Sequence, residues 1–162
     1  MQIRQARSED CAAILAFWNP VISDSHATFN SEEKTPEMLA EDIRTKSTGD
    51  YPFLVAEEAG NILGFATYSQ FRGSNGYRHT MEHTVIISPA AKGKGAGRAL
   101  MLAIEDHARQ RAVHSMFAGV SGRNPDGIAF HAALGYKEVA RLPEVGRKFG
   151  LWYDLVLMQK FL

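Results

Sequence analysis

A glycine-rich segment in the middle of the chain constrains the fold more than any other feature of the sequence. Residues 92–98 read KGKGAGR, after a β-branched run at 84–87 and before a helix-forming run that starts at Ala99. Alternate glycines let the backbone amides point into one concavity, at the positive end of the helix dipole. The sequence therefore predicts a strand, an anion-binding turn and a helix in succession, with a purely structural turn as the alternative.

Composition places the chain among ordinary globular proteins. It has 162 residues, of which 45% are hydrophobic, and 18 basic residues balance 18 acidic ones. This size predicts a single domain over residues 1–162. Zero net charge argues against nucleic-acid binding, and no segment is apolar enough to suggest a signal peptide or a membrane partner. One cysteine, Cys11, points to a reducing compartment, so we expect a cytoplasmic protein.

The order of predicted elements narrows the fold class. Strands are predicted near residues 2–7, 52–57, 62–71, 80–88, 115–120, 137–142 and 151–161, and helices near 10–20, 35–43, 96–111 and 124–134. Glu58-Ala59-Gly60-Asn61 is typical of a hairpin turn. Antiparallel strands come first and strand–helix–strand–helix–strand follows, which predicts an α/β fold of the mixed α+β kind. A nicotinamide-binding Rossmann unit is disfavoured, because its glycines follow the first strand.

Several segments together resemble the GNAT superfamily of acetyl-CoA-dependent N-acetyltransferases. The glycine loop is similar to that family's pyrophosphate signature, with Lys92 in the place of Gln or Arg. Within the superfamily, the chain most resembles the phosphinothricin and methionine sulfoximine or sulfone acetyltransferases. Four segments carry this resemblance: YRHTMEHT at 77–84, FHAALGY at 130–136, VGRKFG at 145–150 and WYD at 152–154. The resemblance implies a mostly antiparallel central sheet flanked by helices, splayed between the strand before the glycine loop and the next parallel strand. It also implies acetyl-CoA as co-substrate, a small-molecule amine as acceptor and a homodimer.

The resemblance assigns the cofactor-binding residues. The pantetheine arm would pair with the backbone of the strand as an added strand would, and the loop amides would hold the pyrophosphate. Asn124 would contact CoA, although an ordinary helix N-cap explains it equally well. The expected cofactor-binding residues are Val85, Ile86, Ile87, Lys92, Gly93, Lys94, Gly95, Ala96, Gly97, Arg98 and Asn124.

Glu82 and His131 are the candidate catalytic residues. Glu82 stands where the resembling enzymes carry a general base, and partial burial would raise its pKa toward that of the amine. The alternative is that Glu82 is a non-catalytic, exposed acid on an edge strand. His131 stands where many family members have a tyrosine that protonates the CoA thiolate. It could act as acid, base or substrate contact, or be a half-buried structural histidine.

The expected substrate-binding residues surround the candidate base. Arg72 and Arg78 flank a glycine-rich loop and could grip a carboxylate or phosphinate, although solvated loop arginines are common. Phe29 and Asn30 fall where the resembling enzymes close the amine pocket. Glu82, His83 and Thr84 on the strand complete the predicted set. No histidine shows metal-ligand spacing, so we expect no metal.

The resemblance implies an N-acetyltransferase that transfers acetyl from acetyl-CoA to the α-amine of phosphinothricin, methionine sulfoximine or methionine sulfone, by direct attack in a ternary complex. Another small amine or a peptide N-terminus is an alternative acceptor. A non-catalytic CoA-binding module is a further alternative, and it would tolerate changes at Glu82 and His131.

Overall fold

The computed structural model describes residues 1–162. Its helices are α1 (Cys11–Asp24), α2 (Pro36–Thr48), α3 (Ala96–Gln110) and α4 (Pro125–Ala133). Its strands are β1 (Gln2–Gln5), β2 (Phe53–Glu58), β3 (Asn61–Gln70), β4 (Thr80–Ile87), β5 (Ser115–Ser121), β6 (Lys137–Lys148) and β7 (Leu151–Phe161). None of the four helices combines the length and the apolarity that crossing a bilayer requires.

The first of two compact units contains the glycine-rich segment. It comprises Met1–Asn19, Lys34–Ser69 and His83–Ala112. Strands β1, β2 and β3 and the end of β4 follow one another in its sheet, and the β1–β2 and β2–β3 pairs are antiparallel. Glu58 pairs with Asn61 across a turn whose central residues have positive φ, so the predicted hairpin is confirmed.

An apolar cluster holds the first unit together. Ile14 and Leu39 from the helices pack with Val55 and Phe65 from the sheet, and all four are fully buried. The Phe53 and Phe65 rings stack with centroids 5.0 Å apart. Burial of large apolar side chains is the main stabilising contribution in such a layer of helix on sheet.

The second unit contains the candidate catalytic residues. It comprises Pro20–Glu33, Gln70–Glu82 and Val113–Leu162. The start of β4 is followed in its sheet by β5, β7 and β6, with β5–β7 and β6–β7 antiparallel. Strands β4 and β5 run parallel. The strand order β1-β2-β3-β4-β5-β7-β6 confirms a mixed, mostly antiparallel sheet, whereas the splay stays a prediction.

Two predicted boundaries are wrong. Helix α1 does not end near Pro20 but continues to Asp24. Ile22, two residues beyond the proline, is buried with 1% of its surface exposed, so packing holds the last turn despite the hydrogen bond that proline removes. Strand β6 continues past Leu142 to Lys148 through an irregularity between Leu142 and Gly146.

Candidate functional site

The glycine loop has the backbone conformation that an anion-binding turn needs. Gly93 and Gly95 adopt φ of +80° and +82°, which side chains disfavour, and a Cβ at either position would meet nothing within 4 Å. Gly95 is the N-cap residue of α3. The loop is thus open on the side toward which side chains would project, and the backbone is accessible to a ligand there.

Charge around this loop favours an anion. No side chain caps the N-terminus of α3, and its first turn carries no acidic residue. The positive end of the helix dipole is therefore left without a negative partner from the first turn. Lys92, Lys94 and Arg98 are all exposed around it, and with the backbone amides they could hold a pyrophosphate.

The strand that leads to the loop carries side chains that are partly accessible. Val85, Ile86 and Ile87 are half-buried, and the amide of Ser88 donates to the Leu63 carbonyl at 2.8 Å. Earlier on β4, His83 is buried and Thr84 is exposed. The roles predicted for these residues toward acetyl-CoA and the amine stay predictions.

The Glu82 carboxylate lies over a glycine of the neighbouring strand. A Cβ built on Gly119 would stand 2.7 Å from Glu82 Oε1 and 3.5 Å from Leu155 Cδ1. Gly119 is exposed although β5 has a strand on either side, so solvent reaches this part of the sheet. The missing side chain at 119 therefore leaves the space that the carboxylate occupies.

Burial raises the pKa of Glu82 above its ordinary value, and desolvation is the cause. Half-burial of Glu82 and a raised pKa match the prediction for this residue. A carboxylate with a raised pKa is a better proton acceptor from an ammonium group than an ordinary glutamate.

His131 lies in the last turn of α4 with a defined tautomer. Its Nδ1 is 2.7 Å from the carbonyl oxygen of Gly127, and a carbonyl can only accept a hydrogen bond. Nδ1 must therefore carry the proton, which leaves Nε2 as the acceptor of the neutral ring. Burial lowers the pKa of His131, and the hydrogen bond to Gly127 opposes that effect in part. The ring is therefore neutral at neutral pH and keeps a lone pair on Nε2, although burial makes it a weaker base than a free imidazole.

Asn124 is the N-cap of α4. Its Oδ1 accepts a hydrogen bond from the Gly127 amide at 2.9 Å. Asn124 therefore caps α4, and this role alone explains an asparagine at position 124. Contact with CoA through the side-chain nitrogen stays a prediction.

The two candidate clamp arginines are both exposed but have different neighbours. Arg72 lies over the Phe71 ring, with its Cζ 5.3 Å from the ring centroid. Arg78 donates from Nε to His79 Nε2 at 3.0 Å. Both guanidinium groups keep donors for an anionic substrate, and their joint action on one carboxylate stays a prediction.

Phe29 and Asn30 lie between α1 and α2, in a segment that packs on the second unit's last two strands. The Phe29 ring lies on Gly146, where a Cβ would stand 2.6 Å from Phe29 Cγ, and its centroid is 5.8 Å from that of Tyr153. Asn30 is exposed and accepts a hydrogen bond from the Glu32 amide through Oδ1. Phe29 is therefore held in place, while Asn30 is accessible.

Three residues that lie against predicted site residues or hold their segment were not predicted: Gly119, Gly146 and Lys148. Gly119 could have been found, because a glycine inside a strand often marks a close approach of another group. Gly146 and Lys148 lie in the VGRKFG segment, which served only to establish the resemblance. No group of three or more histidine, cysteine or acidic residues is placed to bind a metal ion.

Comparisons with known proteins give a consistent result. The model of the acetyltransferase (GNAT) domain matches residues 3–157. A methionine sulfoximine/methionine sulfone acetyltransferase of Salmonella typhimurium is 38% identical over 98% of this chain and 93% of its own length. A ribosomal-protein-alanine N-acetyltransferase structure from Brucella melitensis has a TM-score of 0.96 and 36% identity, with both chains fully covered. A phosphinothricin acetyltransferase structure from Sinorhizobium meliloti, in complex with acetyl-CoA, has a TM-score of 0.93 and 30% identity over 99% of this chain and 88% of that one.

Proposed function

Because the chain belongs to the GNAT acetyltransferase family, we propose that it transfers the acetyl group of acetyl-CoA to the α-amine of a small amino-acid analogue. Methionine sulfoximine, methionine sulfone and phosphinothricin are the leading acceptors, in line with the relatives named for them. The observation that carries the proposal is the half-buried Glu82 carboxylate, which has a raised pKa and lies over the exposed backbone of Gly119.

The glycine loop fits acetyl-CoA as the acyl donor. Its open backbone at Gly93 and Gly95, the uncapped N-terminus of α3 and three exposed cations are complementary to a pyrophosphate. Acetyl-CoA supplies the thioester that the amine attacks. The chain's contribution in the first unit is to hold this donor through backbone amides and charge.

Glu82 and His131 are the proton acceptors in this reaction. A free α-ammonium group must lose a proton before its nitrogen can attack the thioester carbonyl, and the Glu82 carboxylate accepts that proton directly or through water. The new amide bond forms as the carbon–sulfur bond breaks. The CoA thiol, with a pKa of about 8.5 like a free cysteine, leaves readily as thiolate. His131 provides a second proton acceptor at Nε2.

Direct attack in a ternary complex is favoured over a covalent acyl-enzyme. Cys11 is the only cysteine of the chain, and 3% of its surface is exposed in the apolar cluster of the first unit. Burial raises the pKa of its thiol, so little thiolate forms at neutral pH. Cys11 is thus unsuited to carry the acetyl group.

A panel of acceptors tests this function. Thiol release from acetyl-CoA should occur with methionine sulfone, methionine sulfoximine or phosphinothricin, and far less with spermidine. Replacing Arg72 by Gln should raise KM for these anionic acceptors about tenfold or more, because a hydrogen bond between charged groups is lost. Arg44→Gln, on the exposed face of α2, is the control.

Three outcomes would contradict the proposal. Turnover of cationic amines alone would leave the acetyltransferase activity standing but remove the amino-acid acceptor. Turnover confined to peptides that begin with alanine would favour the activity named for the Brucella melitensis relative. Binding of acetyl-CoA by calorimetry without any turnover would favour a non-catalytic module.

We also propose that the protein is a homodimer, on the basis of the β6–β7 hairpin. Seven exposed large apolar side chains lie on or beside this hairpin: Val139, Leu142, Val145, Phe149, Leu151, Trp152 and Phe161. An exposed apolar surface of this kind marks a protein–protein contact, and a second copy offers a self-complementary one.

Sedimentation velocity should give twice the monomer mass of 17.9 kDa. The variant Val145→Glu/Trp152→Glu should sediment as a monomer, because two charges would be buried in the contact. Met38→Glu, an exposed apolar residue on α2, should stay dimeric. A wild-type protein that is monomeric at all concentrations would contradict the proposal.

A further inference from the structure

A buried lysine ties the segment between α1 and α2 to strand β6. Lys148 is 4% exposed, and its Nζ donates to the carbonyl oxygens of Ser25 at 2.8 Å and Thr28 at 3.0 Å. These partners lie more than a hundred residues away in the chain. Two charge-assisted hydrogen bonds from a buried ammonium group are strong constraints on the backbone that accepts them.

Aromatic packing fixes the same segment at a second point. The Phe29 ring lies directly on Gly146, two residues before Lys148 in β6, so that no side chain could be accommodated there without displacing the ring. The Tyr153 hydroxyl, on β7, is 3.0 Å from His26 Nδ1. Backbone and side chains of residues 25–30 are therefore both held by β6 and β7.

The hydrogen bonds within the segment itself are short-range. Ser25 Oγ donates to the Val21 carbonyl, the Ala27 amide donates to Ser25 Oγ, and the Asn30 amide donates to Thr28 Oγ1. Such short-range turns shape a loop but do not fix its position on the protein. The contacts with β6 and β7 set that position.

We propose that Lys148 and Gly146 are positioning residues that hold Phe29 and Asn30 in place for the amine acceptor. This inference rests on the proposed function and on the prediction from the family resemblance that these two residues close the amine pocket. Lys148 fixes the backbone on both sides of Ala27, and Gly146 fixes the depth of the Phe29 ring. The affinity for the amine thereby depends on strand residues that do not touch it, while the binding of acetyl-CoA is unaffected.

Two variants test the proposal from opposite ends of the contact. Lys148→Met keeps the aliphatic stem and removes both hydrogen bonds, and Gly146→Ala pushes the Phe29 ring away. Lys137→Met, an exposed lysine at the start of the same strand, is the matched control. Hydrogen exchange of a peptide covering residues 20–33 is measured for each, together with KM for methionine sulfone and for acetyl-CoA. Circular dichroism establishes that each variant is folded.

In Lys148→Met, amide exchange in residues 20–33 should become about tenfold faster or more, because hydrogen bonds to a charged group are lost. KM for the amine should rise by a similar factor in both test variants, with KM for acetyl-CoA unchanged and the control like the wild type. Unchanged exchange in Lys148→Met would overturn the positioning role. Faster exchange with an unchanged KM for the amine would overturn the link to the amine pocket. The wild type could also be inactive on every amine while Lys148→Met still exchanges faster than the wild type. That result would overturn both the proposed function and the link to the amine pocket, and only the structural contact would stand.

Discussion

Replacing Glu82 by glutamine should lower kcat/KM for the amine by about 10²- to 10⁴-fold, the range over which a positioned general base contributes. Glutamine keeps the shape of the side chain and its place over Gly119 but cannot accept a proton. Steady-state thiol release is the measurement, with acetyl-CoA affinity determined by calorimetry. Binding of acetyl-CoA should be unchanged, because the donor is held by the glycine loop in our proposal. Glu144→Gln, an exposed acid elsewhere in the second unit, should behave as wild type.

The pH dependence of the wild type gives an independent signature of the same residue. Since burial raises the pKa of Glu82, its carboxylate is protonated at a pH where an ordinary glutamate is still ionised. Activity should therefore fall as the pH drops through that raised pKa, and this acid limb should be absent from the residual activity of Glu82→Gln. If the variant shows the same acid limb as the wild type, the limb arises from another group.

Gly119→Ala probes the position of the carboxylate rather than its presence. The added methyl group would stand 2.7 Å from Glu82 Oε1, so the flexible end of the glutamate must move. We expect a smaller loss of kcat than in Glu82→Gln. The loss should disappear when Gly119→Ala is made in the Glu82→Gln background, because the two changes then act on one interaction. Additive losses would contradict the contact's functional role.

Replacing His131 by phenylalanine should lower kcat by about 10²-fold, the lower end of the range for a proton-transfer group. An aromatic ring of somewhat larger size is kept, but Nε2 is lost as a proton acceptor and the Gly127 carbonyl loses its donor. The measurement is kcat with saturating acetyl-CoA, beside the melting temperature. His114→Phe, an exposed histidine at the end of the turn before β5, is the control.

The sign of the His131 pKa shift distinguishes a base from an acid. Burial lowers this pKa from its ordinary value of 6.5, so the ring is neutral across the neutral range and its basic form persists to lower pH. A base role predicts that wild-type activity increases as the pH rises through this lowered pKa and is retained at higher pH. Activity that is lost on that rise, and restored to a flat profile in His131→Phe, would show that the imidazolium acts as an acid.

Local features were predictable because their causes lie close together in the chain. The turn at Ala59 and Gly60 connects two adjacent strands, and the open conformation of Gly93 and Gly95 follows from the lack of a side chain. The end of α1 was not predictable from Pro20. The loss of one backbone hydrogen bond at a proline competes with the packing of Ile22, which depends on residues distant in sequence.

The amino-acid sequence alone is enough to predict the order of elements, the strand–turn–helix unit that suits a phosphate, and Glu82 and His131 as groups able to exchange protons. Tertiary structure alone decided the properties of those groups. The raised pKa of Glu82 comes from its burial, in a place that the missing side chain of Gly119 leaves open, and the tautomer of His131 comes from the Gly127 carbonyl. The position of Phe29 comes from Lys148 and Gly146, more than a hundred residues further along the chain. Desolvation and hydrogen bonding act through space, so they depend on which distant residues the fold brings into contact.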